Sequence, residues 1–158
     1  MTEPELATIY NVRAVDERLC TSGQPTVEQL ERIAAAGYET VVNLALHDDP
    51  RYSLPDEAGT VSSLGMTYVH IPVDFAAPTE ADLRAFMAAC DDHRGERVWI
   101  HCAANMRVSA FLGLYRVLGE GWPRERAFEL MDELWEPNAV WAAFIESMLD
   151  GRPSDEEP

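Results

Sequence analysis

Cysteine, basic residues and long apolar runs are all scarce in this chain of 158 residues and 17.7 kDa. The three cysteines, Cys20, Cys90 and Cys102, are too few and odd in number for a disulfide framework, and Met1 leads into an acidic segment rather than a basic and apolar signal. A reducing, cytoplasmic setting is expected. No apolar run approaches the roughly 20 residues that cross a bilayer, so a helical membrane protein is excluded. With 12 Lys+Arg against 28 Asp+Glu, the net charge is -16 and the pI about 4.4. Such a surface repels nucleic acid and anionic lipid, and neither is expected as a partner. An anionic substrate would have to be held by a local positive site working against that field. The histidines His47, His70, His93 and His101 stand at no metal-ligand spacing, and His101 and Cys102, adjacent at a strand end, point to opposite faces; neither a metal nor a cofactor is expected. No repeat and no Pro/Gly/Ser-rich linker divides the chain, which reads as one domain over 1–158 with mobile tails at 1–6 and 152–158.

What is present is 47% hydrophobic and 25% charged, enough to bury roughly 70% of the surface of the unfolded chain. Ile9 to Val15 and Arg18 to Cys20 read as short strands. A turn at Ser22-Gly23-Gln24-Pro25 follows, then an amphipathic helix from Val27 to Ala36 that stops at Gly37. Thr40 to Leu44 is short and mainly β-branched and apolar, as in a strand covered on both faces of a parallel sheet. A helix over Pro55–Leu64, a strand over Tyr68–Ile71 and a helix capped by Thr79 with Asp82 at the capping-box position come next. Arg97 to His101 is a further buried strand, and helices are predicted from Ser109 to Leu118, Arg124 to Leu134 and Ala139 to Leu149. Strands separated by helices imply βαβ units, hence an α/β fold with a mainly parallel sheet between two helical layers. Ligands of such sheets gather beyond the carboxyl ends of the strands, here after Leu44, Ile71 and Ile100.

The segment after Ile100, His101-Cys102-Ala103-Ala104-Asn105-Met106-Arg107-Val108-Ser109, places a cysteine between a strand end and a helix start. Small residues at 103 and 104 let the backbone curl with its N–H groups inward. Asn105 tolerates positive φ, and the helix dipole adds positive potential. The same field favours a thiolate at Cys102, and Arg107 can place two parallel donors on a tetrahedral oxyanion. A buried free cysteine is otherwise a small apolar core residue, and that reading stays open for Cys102 as it does for Cys90.

Together with Ser22–Pro25, Val42-Asn43-Leu44, the stretch from Leu64 to Phe75 and Trp135-Glu136-Pro137-Asn138, this loop resembles the bacterial eukaryotic-like protein tyrosine phosphatase family, a branch of the cysteine-dependent dual-specificity phosphatases. The resemblance implies a three-layer α/β/α domain acting on a phosphorylated protein or small molecule, its oligomeric state left open. It implies Cys102 as nucleophile, Arg107 as clamp and Asp74 as general acid, with Ala103, Ala104, Asn105, Met106, Arg107, Val108 and Ser109 holding the phosphate. Asp74 fits on independent grounds, since it follows a strand ending at the same sheet edge; Asp48, Asp49 and Asp82 are the other carboxylates in range.

The family signature has five residues between cysteine and arginine, whereas Cys102 and Arg107 enclose four. One helical residue turns a side chain by about 100°, so Arg107 must reach in along its stem or sit on a shorter loop. The four-residue spacing suits the short rhodanese-type loop, which keeps the nucleophile and makes a sulfurtransferase the alternative. A phosphate-binding module without turnover is a third reading. Ser109 is either a donor to the thiolate or a helix cap, His101 orients the loop, and Cys20 is a conceivable resolving partner for Cys102. The aromatic and methionine residues from Trp122 to Met148 are expected to pack helices on the sheet.

Overall fold

The computed structural model describes residues 6–46 and 54–150. The expected tails other than Leu6, together with His47, Asp48 and Asp49, lie outside the described residues. Five strands, β1 (Arg13–Ala14), β2 (Leu19–Ser22), β3 (Thr40–Asn43), β4 (Thr67–His70) and β5 (Val98–His101), form one sheet in the order β1-β2-β5-β3-β4. All neighbours run parallel except β1, which pairs antiparallel with β2. The expected α/β/α layering is therefore present, with β5 as the middle strand.

Alternation along the strands divides the core in two. Val41, Trp99 and Cys20 face a smaller cluster with Leu30 and Ile33 of α1 (Val27–Ala35) and Val61 of α2 (Glu57–Ser63). Val42, Val98 and Ile100 face the larger one, built on α3 (Glu80–Asp92), α4 (Met106–Leu118), α5 (Arg124–Ala127), α6 (Glu129–Leu134) and α7 (Ala139–Asp150). Thr26 and Thr79 close full capping boxes with Gln29 and Asp82, so both helices start where their sequence signals lie.

Three expectations are corrected. Ile9–Val15 is not a strand: Leu6–Thr8 forms a 3-10 turn whose bonds continue from Val12 N–H to the Ile9 carbonyl, and Asn11 at φ 51 bends the chain before two residues pair. The helix after β5 starts early, because α4 begins at Met106 rather than Ser109 and leaves a loop of four residues, 102–105. The helix expected over 124–134 breaks at Phe128, whose ring lies where a Cβ on Gly113 of α4 would be.

Candidate active site

Strand β5 delivers Cys102 to the carboxyl edge of the sheet, where its N–H donates to the Ser22 carbonyl at 3.3 Å and its side chain is buried. The loop beyond is held by its carbonyls. That of Ala103 accepts from the Gln24 N–H at 3.1 Å and that of Ala104 from Asn11 Nδ2 at 3.0 Å. Asn105 Nδ2 in turn donates to the Asn11 carbonyl and to Thr21 Oγ1, each at 3.0 Å. A trans peptide points its N–H opposite its C=O, so fixing the Ala103 carbonyl on Gln24 turns the Ala104 amide the other way, and an antiparallel bridge pairs Ala104 with Gly23. Asn105, at φ 66, then lets α4 begin at once, and the N–H groups of Met106, Arg107 and Val108 have no acceptor among the described residues. The end of a 13-residue helix and the curled loop thus present unpaired donors beside the cysteine.

Gly23 makes this possible. A Cβ there would lie 2.6 Å from the Ala103 carbonyl oxygen and 2.7 Å from the Tyr10 ring, so only glycine lets the β2–α1 turn lie against the loop. Gly23→Ala is expected to shift residues 103–104 and destabilise the protein by about 1–3 kcal/mol, read from urea unfolding.

Arg107, the second residue of α4, extends towards the segment after β4. Its Nη1 donates to the Val73 carbonyl at 2.7 Å, its guanidinium carbon lies 5.7 Å from the Phe75 ring centre, and Nε is buried with no partner. Trp141 Nε1 of α7 donates to the Phe75 carbonyl at 2.7 Å. Asp74 therefore sits between two anchored carbonyls, exposed, its Oδ1 accepting from the Ala76 N–H at 2.9 Å. Cys102, Arg107 and the Asp74 segment meet at one sheet edge. Asp82 is committed to its capping box.

Ser109 does not head the helix. As the fourth residue of α4 its hydroxyl donates to the Met106 carbonyl at 3.0 Å and accepts from Trp135 Nε1 at 3.1 Å, so the cap reading is corrected and its bonds lie with the helix and the Trp135–Asn138 corner. Asn138 caps α7 through the Trp141 N–H at 2.9 Å, and Trp141, Trp135 and Phe75 pack in tilted and edge-on contacts with ring centres 5.7–6.1 Å apart. These tryptophans are core, and they also secure the Asp74 segment.

Sequence reasoning missed a buried carboxylate. Glu57, wholly buried at the start of α2, lies with Oε2 2.6 Å from His101 Nε2, and its Oε1 accepts from Gln24 Nε2 at 2.9 Å. A carboxylate only accepts, so Nε2 carries the proton and the ring is fixed, its Nδ1 3.4 Å from the Cys102 carbonyl. Tyr68, held by Asn43 Nδ2 at 3.0 Å, titrates above its ordinary range through burial and then the charge of Glu57. In the sequence Glu57 looks like an acid placed in a first helical turn for the dipole; its partner lies 44 residues away. Glu57→Gln is expected to cost about 1.5–3 kcal/mol of stability, measured by urea denaturation, since a charge-assisted bond becomes a neutral one.

The other thiols are inert. Burial pushes both Cys20 and Cys90 up to about 12, and Cys20 packs on the face of the sheet away from the cluster that holds Cys102, so a resolving role for it is not supported. Among the described residues no group of three or more His, Cys, Asp or Glu gathers in a way that could hold a metal ion, and no helix is long and apolar enough to cross a membrane.

A family model described as DSP-PTPase phosphatase fused to NAD+ kinase matches residues 7–134. A solved structure from Shewanella putrefaciens CN-32, a candidate phosphatase of the DUF442 group, shares 32% identity over 92% of this chain and 95% of its own, at a TM-score of 0.81. The crystal structure of Tk-PTP in the active form has the same fold, with a TM-score of 0.75 at 19% identity over 90% of this chain and 98% of its own. The Beta-lactamase hydrolase-like protein of Agrobacterium fabrum is 35% identical over 109 residues, 67% of this chain. The chain spans about a quarter of the length of the curated relatives it matches, 24% in each case.

Proposed function

The chain belongs to the DSP-PTPase family, a class of protein tyrosine and dual-specificity phosphatase hydrolases, and on that premise we propose that it hydrolyses phosphomonoesters through a cysteine-bound phosphate. The observation that carries this reading is the meeting, at one sheet edge, of Cys102, the unpaired first amides of α4 and the Arg107 guanidinium, which also holds the segment bearing Asp74. The Cys102 thiolate attacks phosphorus, the bond to the ester oxygen breaks, and the Asp74 carboxyl gives that oxygen its proton. Water then attacks the phosphocysteine, the Asp74 carboxylate takes its proton, and inorganic phosphate leaves. The amides of 103–108 and Arg107 balance the charge on the equatorial oxygens. The family match, which spans residues 7–134 and so includes the loop, supports phosphoryl chemistry over the sulfurtransferase alternative.

Steady-state hydrolysis of 4-nitrophenyl phosphate in the presence of EDTA, with trapping of a phosphorylated protein by acid quench, tests the proposal; turnover with no phosphate on Cys102 would reject the covalent route. Asp74→Asn adds a graded check. An alkyl phosphate, whose leaving oxygen needs the proton, is expected to lose about 100- to 10,000-fold in kcat, and the nitrophenyl ester much less. Equal losses on both would remove Asp74 from the acid's role.

A further inference from the structure

A cavity of about 460 Å³ opens beneath the sheet at the start of β5, between the sheet and helices α3 and α4. Along β5 the cavity floor runs from Val98 to Ile100, four and two residues before Cys102, hence about 13 Å to 7 Å from it at roughly 3.3 Å per residue. The cavity has a segregated lining. Its floor is aliphatic, with Leu19, Val42, Val98, Ile100 and Leu112, and the protonated Cys90 thiol belongs to it. Its mouth carries Arg18, Arg94 and Arg116 against Asp16 and Glu120, with Trp122 at the side.

The state of these arginines is informative. Arg94 is committed, to Asp91 at 2.7 Å and towards Glu120 at 3.7 Å. Arg18 and Arg116 are half-buried, and among the described residues neither guanidinium has a carboxylate oxygen within 4.0 Å. The Arg18 guanidinium donates to the Glu96 carbonyl at 3.2 Å, while the Arg18 main-chain N–H donates to Asp16 Oδ1 at 2.9 Å. Arg116 lies 4.1 Å over the Trp122 ring, and burial lowers its pKa. In a chain with more than two acids for every base, most cations should find an acid at little cost. Two half-buried guanidiniums without an ion pair, facing a single cavity beside Asp16 and Glu120, mark a place where the head of an outside anion can be held. The volume falls within the range of small-molecule sites, and the layout of an apolar floor under a cationic mouth selects the ligand.

From this arrangement we propose a second ligand site, separate from Cys102, for an amphipathic organic anion: an aliphatic body in the chamber and a carboxylate or phosphate head between Arg18 and Arg116. The head displaces water from two donors that no protein acid uses, and the chain covers Leu19, Val98 and Leu112. Inorganic phosphate alone fills only the mouth and has no aliphatic part to bury, so it should bind here far more weakly.

Calorimetric titration of the full chain with decanoate and with decyl phosphate tests the site, with n-decanol and inorganic phosphate as the arms lacking charge and tail. One-to-one binding of decanoate or decyl phosphate, undiminished by saturating inorganic phosphate and weakened at least tenfold by Arg116→Met, is the expected result. Arg116→Met keeps an apolar stem on Trp122, and its thermal unfolding reports whether it folds. Should it not fold, quenching of tryptophan fluorescence by decanoate in Arg18→Gln, with the same tenfold weakening expected, takes its place. Equal binding of decanol, binding unchanged in the arginine variant, or full displacement by inorganic phosphate would each overturn the proposal, as would no binding of either anion. None of these outcomes depends on whether Cys102 turns over a phosphate ester.

Discussion

Serine in place of Cys102 is expected to lower turnover of an aryl phosphate by about 10,000-fold or more, while inorganic phosphate still binds within a few-fold of the parent affinity. The two halves of this result come from different atoms. The attacking sulfur is supplied by one side chain, buried at the end of β5, and a hydroxyl there stays protonated and is a poor nucleophile. The donors that hold the anion are main-chain amides, fixed by carbonyl bonds to Gln24 and Asn11 that the substitution leaves intact. Initial rates on 4-nitrophenyl phosphate and calorimetric titration with phosphate measure the two separately. Residual turnover within tenfold of the parent would show that Cys102 is not the nucleophile. Loss of phosphate binding together with turnover would show instead that the loop had collapsed.

Arg107→Met is expected to lower kcat/KM by about 100- to 1,000-fold, the usual effect of removing one preorganised donor from a developing charge. Here the effect has two sources. The guanidinium beside the nest is lost, and so is the 2.7 Å bond to the Val73 carbonyl that fixes the neighbour of Asp74. Arg107→Lys separates them. Lysine restores a positive charge without the planar fork, so it is expected to recover KM for phosphate esters better than kcat. Trp141→Phe removes the second anchor of the same segment, at Phe75, and leaves all charges in place; a kcat loss of roughly tenfold with KM unchanged is the expected signature of a less ordered acid. If Arg107→Met retained turnover within fivefold, the main-chain amides alone would carry the charge.

The elements that could be read from the sequence are those whose signals are local. The capping boxes at Thr26 and Thr79, the β-branched run at 40–43 and the positive φ of Asn105 each follow from a few adjacent residues. What escaped depends on distant partners. Ile9–Val15 has strand composition, yet Leu6 and Ile9 gain more by packing against α1 through a 3-10 turn. The early start of α4 goes with bonds from Asn105 to residues more than 80 positions away, and it shortens the loop ahead of Arg107. The Glu57–His101 pair and the Trp141 anchor on Phe75 likewise join segments with no pattern in common. Cys102 and Asp74 are legible together because each follows a parallel strand, β5 and β4, at the carboxyl edge of the sheet, and Arg107 because it stands in the first turn of the helix that follows the Cys102 loop.

The placement of β5 also bears on how the molecule breathes. As the middle strand it is bonded on both sides, to β2 and β3, and its residues are buried. Its main-chain amides should be among the slowest in native-state hydrogen exchange, opening only with global unfolding, whereas α6 and α7 exchange earlier through partial excursions. The proposed nucleophile thus follows the most persistent strand of the fold, and the proposed acid lies on a segment tethered to α7 through Trp141. Mild heating or denaturant should therefore silence proton delivery before it disturbs the anion cradle.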